Sequence, residues 1–187
     1  MKTKVFTEVE SEGPLNMTAW QGTELLEQLD ENGITVFLKD PQGRYLYMND
    51  SGARVLGLKP FEVIRRTDAE LFDPSSGELL RNRDLEALNS TGIKEYDLVA
   101  QVQGRWFLHH DAKAALRDGE TVLGIVGLSV ERSGSRDRAK EELAMQALRT
   151  MIAAPVGAYH SLVSAAKKKI VPLKAVPPID ALPVGLN

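Results

Sequence analysis

The sequence predicts an α+β fold: a five-stranded antiparallel sheet packed with short helices and flanked by further helices at both ends. Three observations carry this. Five runs rich in β-branched and aromatic residues occur, two before residue 50 and three after residue 93. The stretch between them holds two helix-start signatures, Thr67 to Glu70 and Ser75 to Glu78, each Ser or Thr followed three residues on by Glu. Runs adjacent in sequence are joined by short turn-forming segments, which favours antiparallel pairing. The predicted order is β-β, a group of short helices, one longer helix, then β-β-β.

Each element has a local reason. Met1 to Pro14 reads as a polar arm. Met17 to Leu29 reads as a helix, because Met17, Trp20, Leu25, Leu26 and Leu29 follow helical spacing. Asn32-Gly33 ends it. Ile34–Leu38 and Tyr45–Asn49 form a hairpin around Asp40-Pro41-Gln42-Gly43, where proline presets φ and glycine takes φ > 0. Asp50 and Ser51 are expected to cap a short helix through Leu56, closed by Gly57. Thr67 opens a one-turn helix ending before Pro74. Ser75 is expected to open the longer helix, which runs to about Asn89.

Lys94 to Val102 alternates, placing Tyr96, Leu98, Ala100 and Val102 on one face. Arg105–Leu116 and Thr121–Val130 follow, across turns at Gln103-Gly104 and Arg117–Glu120. A charged helix is expected from about Ser135 to Ile152, with Leu143, Ala144, Leu148, Met151 and Ile152 on its apolar side. Pro155-Val156-Gly157 interrupts it, and Tyr159–Lys169 resumes helix. Four prolines between Val171 and Asn187 forbid an ordinary helix there. The expected division is an arm (1–14), a core domain with its N-terminal helix (15–132), a helical signalling or dimerisation segment (133–170) and a Pro-rich tail (171–187).

Composition narrows function. Net charge is −3, and the only dense basic run is Lys167-Lys168-Lys169, which reads as a solvated helix end. Nucleic acid is therefore not an expected partner. The absence of cysteine removes disulfides, thiolate metal sites, Cys nucleophiles and cysteinyl adducts. The polar N-terminus lacks the apolar core of a signal peptide. No run approaches the ~18 apolar residues of a spanning helix. A cytoplasmic protein without membrane insertion is the expectation.

Several phrases carry a family resemblance. The hairpin Ile34 to Asn49, the Val55-Leu56-Gly57 helix stop, Arg66-Thr67-Asp68-Ala69-Glu70-Leu71-Phe72, Leu80 to Asp84 with Thr91-Gly92, and Gly124 to Val130 stand in the order of the PAS domain. The match covers about 100 residues, and the Thr-Asp-Ala-Glu-Leu-Phe phrase resembles one ligand-binding subfamily. The resemblance implies small-molecule or cofactor sensing, dimerisation and relay to an output, with the ligand between the sheet and the long helix. Many PAS domains end the last strand with Asp-Ile-Thr. Here Glu131-Arg132-Ser133, or Ser129-Val130-Glu131, occupies that place.

Candidate site residues are Phe37, Tyr47, Arg83, Asp84, Trp106 and His110. Helical phase places Asp84 beside Leu80 and between Ala87 and Leu88, with Arg83 on the other side of Leu80. A carboxylate on an apolar stripe either forms a structural ion pair or faces a ligand, because burying it alone is costly. His109 and His110 point to opposite faces of one strand. The sequence leaves open which face is concave. The resemblance places a haem's axial histidine on or near the long helix, which has none, so haem is not expected. Phe37, Tyr45, Tyr47 and Trp106 could stack on a noncovalent flavin or simply form core.

Catalysis finds no nucleophile elbow, phosphate-cradling glycine loop or metal-ligand spacing. Ala147-Leu148-Arg149-Thr150 resembles part of a histidine-kinase phosphoacceptor helix, but Gln146 stands where the histidine belongs. The leading function is a non-enzymatic sensor that binds a small molecule and relays through its flanking helices, as a homodimer, to a downstream signalling protein. The alternatives are a ligand-free dimerisation scaffold, or a haem or flavin sensor; the sequence does not name the cofactor. Apolar stripes on the two flanking helices motivate the dimer.

Overall fold

The structure is a computed structural model that describes residues 24–132 and 137–168, with side chains through 164. Met17, Trp20, the N-terminal arm and the Pro-rich tail lie outside the described residues. Five strands form one antiparallel sheet: β1 (Thr35–Lys39), β2 (Tyr45–Met48), β3 (Lys94–Val102), β4 (Arg105–Asp118) and β5 (Thr121–Glu131). Their spatial order is β2-β1-β5-β4-β3. The first and last strands of the chain's sheet segments therefore lie side by side at the centre, Phe37 opposite Gly127.

Helix α1 (24–31) precedes β1. Helices α2 (Asp50–Val55), α3 (Pro60–Val63), α4 (Asp68–Leu71) and α5 (Pro74–Leu88) fill the connection from β2 to β3. Helices α6 (Arg138–Ala153) and α7 (Val156–Lys168) follow β5. Alternation sends Ile34, Val36 and Leu38 to one face and Thr35, Phe37 and Lys39 to the other. The first face receives α1, α6 and α7 and forms one core with Leu29, Ala144, Ala147, Leu148 and Val163. The second, concave face receives α2 to α5.

Local details refine the sequence reading. Asn49, not Asp50 or Ser51, caps α2: its side chain accepts from Gly52 N at 3.1 Å. It also accepts from Val36 N at 3.0 Å and donates to Ile34 O at 2.8 Å, so the cap doubles as a clamp on β1. Helix α5 starts at Pro74, with Asp73 before it, rather than at Ser75. Proline at the first helical position costs no hydrogen bond and brings the correct φ. The hydroxyl of Ser76 accepts from Gln101 N at 2.8 Å, fixing α5 to β3. Helix α3 was not expected, although Lys59-Pro60 is the same proline signal. At Gly127 an added Cβ would meet the tip of the Phe37 ring at 2.1 Å, so the ring end sits where only bare backbone leaves room.

The flanking helices pack on their own sheet over much of their described length. Leu29 of α1 and Leu148 of α6 are fully buried against the sheet of their own chain. Among the described residues these parts of the two stripes are covered within the subunit, while Ile152 of the α6 stripe is 37% exposed.

Candidate functional site

Five charged groups meet between the concave face and the helices. Lys39 leaves β1 at the irregularity between Leu38 and Lys39, and Lys113 rises from β4. Asp84 comes from α5, Asp68 from the first turn of α4, and Asp111 from β4 two residues before Lys113. Lys39 Nζ donates to Asp68 Oδ2 at 2.5 Å and to Asp84 Oδ2 at 2.7 Å. Lys113 Nζ donates to Asp84 Oδ1 at 2.9 Å and lies 3.8 Å from Asp111 Oδ2. Asp84 thus bridges both lysines, one on each oxygen.

None of these side chains is more than 6% exposed. Transfer of such ions from water is expensive, and only mutual pairing makes it tolerable. Burial alone would raise the Asp84 carboxyl, yet the ammonium groups of Lys39 and Lys113 outweigh it and hold the group below its usual range. Burial would lower the Lys113 ammonium, but Asp84 and Asp111 outweigh that and hold it above its usual range. The Tyr45 hydroxyl donates to Asp68 Oδ1 at 2.7 Å. Burial first, and then the Asp68 charge, push its phenol well above the ordinary value.

The network continues through neutral groups. Ser129 Oγ donates to Asp111 Oδ1 at 2.6 Å and lies 3.0 Å from His109 Nδ1. The hydroxyl proton is spent on the carboxylate, so His109 Nδ1 must carry the proton of the second bond. Ser129 is therefore not aligned as a nucleophile activated by His109, because activation needs the base to accept the hydroxyl proton.

Beside this network lies a cavity of about 60 Å³, with Phe37, Lys39, Phe72, His109, Asp111 and Lys113 among its walls. That is room for about two waters at ~30 Å³ each or a molecule of a few heavy atoms. That space is smaller than a haem or flavin ring. Among the described residues no group of three or more His, Asp or Glu side chains could hold a metal ion.

Of the six residues predicted from sequence, the structure brings Phe37 and Asp84 to this centre. Tyr47 packs on the opposite face, against the core that holds Leu29 and Val163, because the register shift that sets Leu38 opposite Tyr47 and Lys39 opposite Tyr45 parts the two tyrosines. Trp106 and His110 also project from the outer face, and Trp106 is 65% exposed. His110 sits between Asp97, at 2.8 Å, and Glu95, at 3.2 Å. Arg83 lies at the edge, paired with Glu86 at 2.7 Å and stacked 4.9 Å from the Tyr96 ring centroid. Sequence reading missed Lys39, Asp68, Asp111, Lys113 and Ser129 as site residues and weighed Tyr45 only for ring stacking. One signal was there: Asp111-x-Lys113 puts opposite charges on one face of a strand whose flanking residues, Ala112 and Ala114, are apolar.

Residues 29–137 match the family model described as the PAS fold. The chain belongs to the PAS-fold family. Solved PAS structures agree at the level of fold. The PAS domain of a Colwellia psychrerythraea protein is 13% identical, with a TM-score of 0.51 over 59% of this chain and 95% of that one. The PAS domain of Bordetella pertussis BvgS is 17% identical, with a TM-score of 0.50 over 67% of this chain and 96% of that one. Vibrio cholerae VqmA, in its complex with ligand and DNA, is 17% identical, with a TM-score of 0.51 over 69% of this chain and 60% of that one. No curated protein matches the sequence.

In this PAS domain the exit from β5 is held by an arginine. Arg132 Nη1 pairs with Asp97 of β3 at 3.0 Å, and Arg132 Nε donates to Glu141 of α6 at 2.9 Å. The charge that joins sheet to exit helix is thus positive, where the Asp-Ile-Thr pattern would supply a carboxylate. Among the described residues no helix is long and apolar enough to cross a membrane.

Proposed function

We propose that this chain is a sensory module, not an enzyme, whose input is a small polar molecule held against Lys113 and Asp111 in the concave cavity. The observation that carries the reading is the unspent hydrogen-bonding capacity there. Lys113 is 1% exposed, and one of its three N–H groups is within hydrogen-bond distance of a carboxylate. Asp111 Oδ2, 3.8 Å away, lies beyond that distance. A donor and an acceptor side by side suit a ligand edge that presents one of each, as amides and lactams do. VqmA, similar in fold, has been solved bound to DPO.

Relay runs from β4 and β5 through Arg132 to α6. The output is a downstream signalling protein, and the setting is the cytoplasm. The reading includes a homodimer, through Val99, Trp106 and Leu108, which are exposed on the outer face of β3 and β4. Sedimentation of the full chain against Trp106→Asp/Leu108→Asp checks this: a dimer that the pair of aspartates does not weaken would contradict it.

A second reading, a ligand-free scaffold, is favoured by two observations: Asp68 and Asp84 each already accept from a lysine, and the cavity is small. Native mass spectrometry separates the two. The sensor reading expects a discrete bound mass that disappears on denaturation. Unliganded protein, with no heat on titrating small amides or lactams, would leave the scaffold.

A further inference from the structure

The outer face of the sheet holds a second cavity, of different chemistry. It measures about 110 Å³, against about 60 Å³ for the concave one. Leu38 and Val126 of the sheet form its floor, Leu26 of α1 one side, and Met151, Tyr159 and Leu162 of α6 and α7 its roof. Two of the three polar side chains that line it are engaged elsewhere: Thr150 donates to Gln146 O at 3.1 Å, and Arg117 donates to Leu88 O at 2.8 Å, which leaves the Tyr159 hydroxyl as the one polar side-chain group there without a hydrogen-bond partner among the described residues. A water needs two to four polar partners, so such a space holds water poorly and apolar molecules well.

The roof is hinged. Helix α6 ends at Ala153, Ala154 is extended (φ −69°, ψ 147°), and α7 starts at Val156. Helix α7 turns Val156, Tyr159 and Leu162 toward this space, yet all three remain only partly buried, and Val163 alone among the described side chains of α7 is fully covered. A helix seated on a filled core would bury that face more completely. The flexible thioether of Met151 can adapt to an occupant.

We propose that this cavity is a second binding site, for a neutral apolar molecule the size of one ring or of a branched alkyl group. Apolar cavities of about 150 Å³ take benzene, and this one, at about 110 Å³ and open on one side, approaches that size. Occupancy completes the apolar layer beneath α7 and holds that helix on the sheet. The site shares no residue with the polar cavity and stands whether or not that cavity binds anything.

Benzene is the probe. In the full chain, titration is expected to give saturable methyl NMR shifts at Leu26, Met151 and Leu162 and a rise in Tm. Ala158→Phe fills the space from α7 and is expected to abolish both responses. If that variant fails to fold, Leu162→Phe serves the same purpose. Ser129→Ala, on the other face, is expected to leave the benzene response unchanged. No saturable shift in the wild type would overturn the proposal. So would shifts confined to Ala53 and Val102 on the concave side, or a folded filling variant that still responds.

Discussion

The two faces of one sheet are built from the same strands and obey opposite rules. Outward, β1, β4 and β5 present Val36, Leu38, Ala112, Ala114, Val126, Leu128 and Val130, all buried under helices. Inward, they present Thr35, Lys39, Asp111, Lys113 and Ser129, equally buried but polar or charged. An apolar face gains roughly 25 cal/mol per Å² removed from water and asks only for shape. A buried ionic face at best breaks even against apolar residues of similar size. A chain that needed only a stable sheet would gain nothing from placing two lysines and three aspartates where leucines would serve. Under the proposed function, recognition falls to the charged part of the inner face, while the outer face and the apolar cluster around Phe37 and Ile125 supply stability.

The largest single effect should come from unbalancing the inner face. Asp84→Ala leaves Lys39 and Lys113 buried without their shared carboxylate and is expected to cost about 3–5 kcal/mol, measured by urea unfolding. A loss below ~1 kcal/mol would mean that water reaches the network. The pH dependence follows the same groups. Asp84 is depressed in the folded state, so its contribution is present above the unfolded value of about 3.9 and is lost as pH falls through the lower folded one. Lys113 is raised, so its contribution is present below about 10.4 and is lost as pH rises through the higher folded value. Stability against pH should show a plateau between these limits, and Asp84→Ala should flatten the acid limb.

The outer face should answer to volume alone. Leu148→Ala removes a fully buried side chain and should cost about 2–5 kcal/mol, with no added pH dependence. At the centre of the sheet, Gly127→Ala drives a methyl into the Phe37 ring and should cost about 1–3 kcal/mol. Trp106→Ala, at the exposed end of β4, should stay within about 0.5 kcal/mol. A larger loss in the isolated subunit would show that Trp106 packs against something that the outer face has not revealed.

The strands and their hairpins were legible because each is a local pattern: alternation, turn residues and caps read within a dozen positions. The site was legible only in part, because it is assembled across the fold. Asp84 could be placed from helical phase within one element. Its partners Lys39 and Lys113 come from strands 45 and 29 residues away, and no local pattern joins them. Tyr47 and Trp106 misled because an aromatic on an alternating strand looks the same whichever face is concave. The helices make that choice for Trp106; for the tyrosines the register shift between β1 and β2 makes it, sending Tyr45 inward and Tyr47 outward although they are two residues apart. The helical stripes were real, but amphipathicity says that a face will be covered, not by which chain.

The most direct test replaces the inner network as a whole. A variant carrying Lys39→Met, Tyr45→Phe, Asp68→Ala, Asp84→Val, Asp111→Ala and Lys113→Met keeps the buried volume nearly unchanged and removes the ions together. Its Tm and its bound mass by native mass spectrometry are measured beside the wild type. The account predicts a folded protein, with Tm within a few degrees of the wild type, that no longer carries the small molecule the wild type retains. A variant that keeps the same bound mass, or one that cannot fold at all, would contradict the claim that these charges are present for recognition and not for stability.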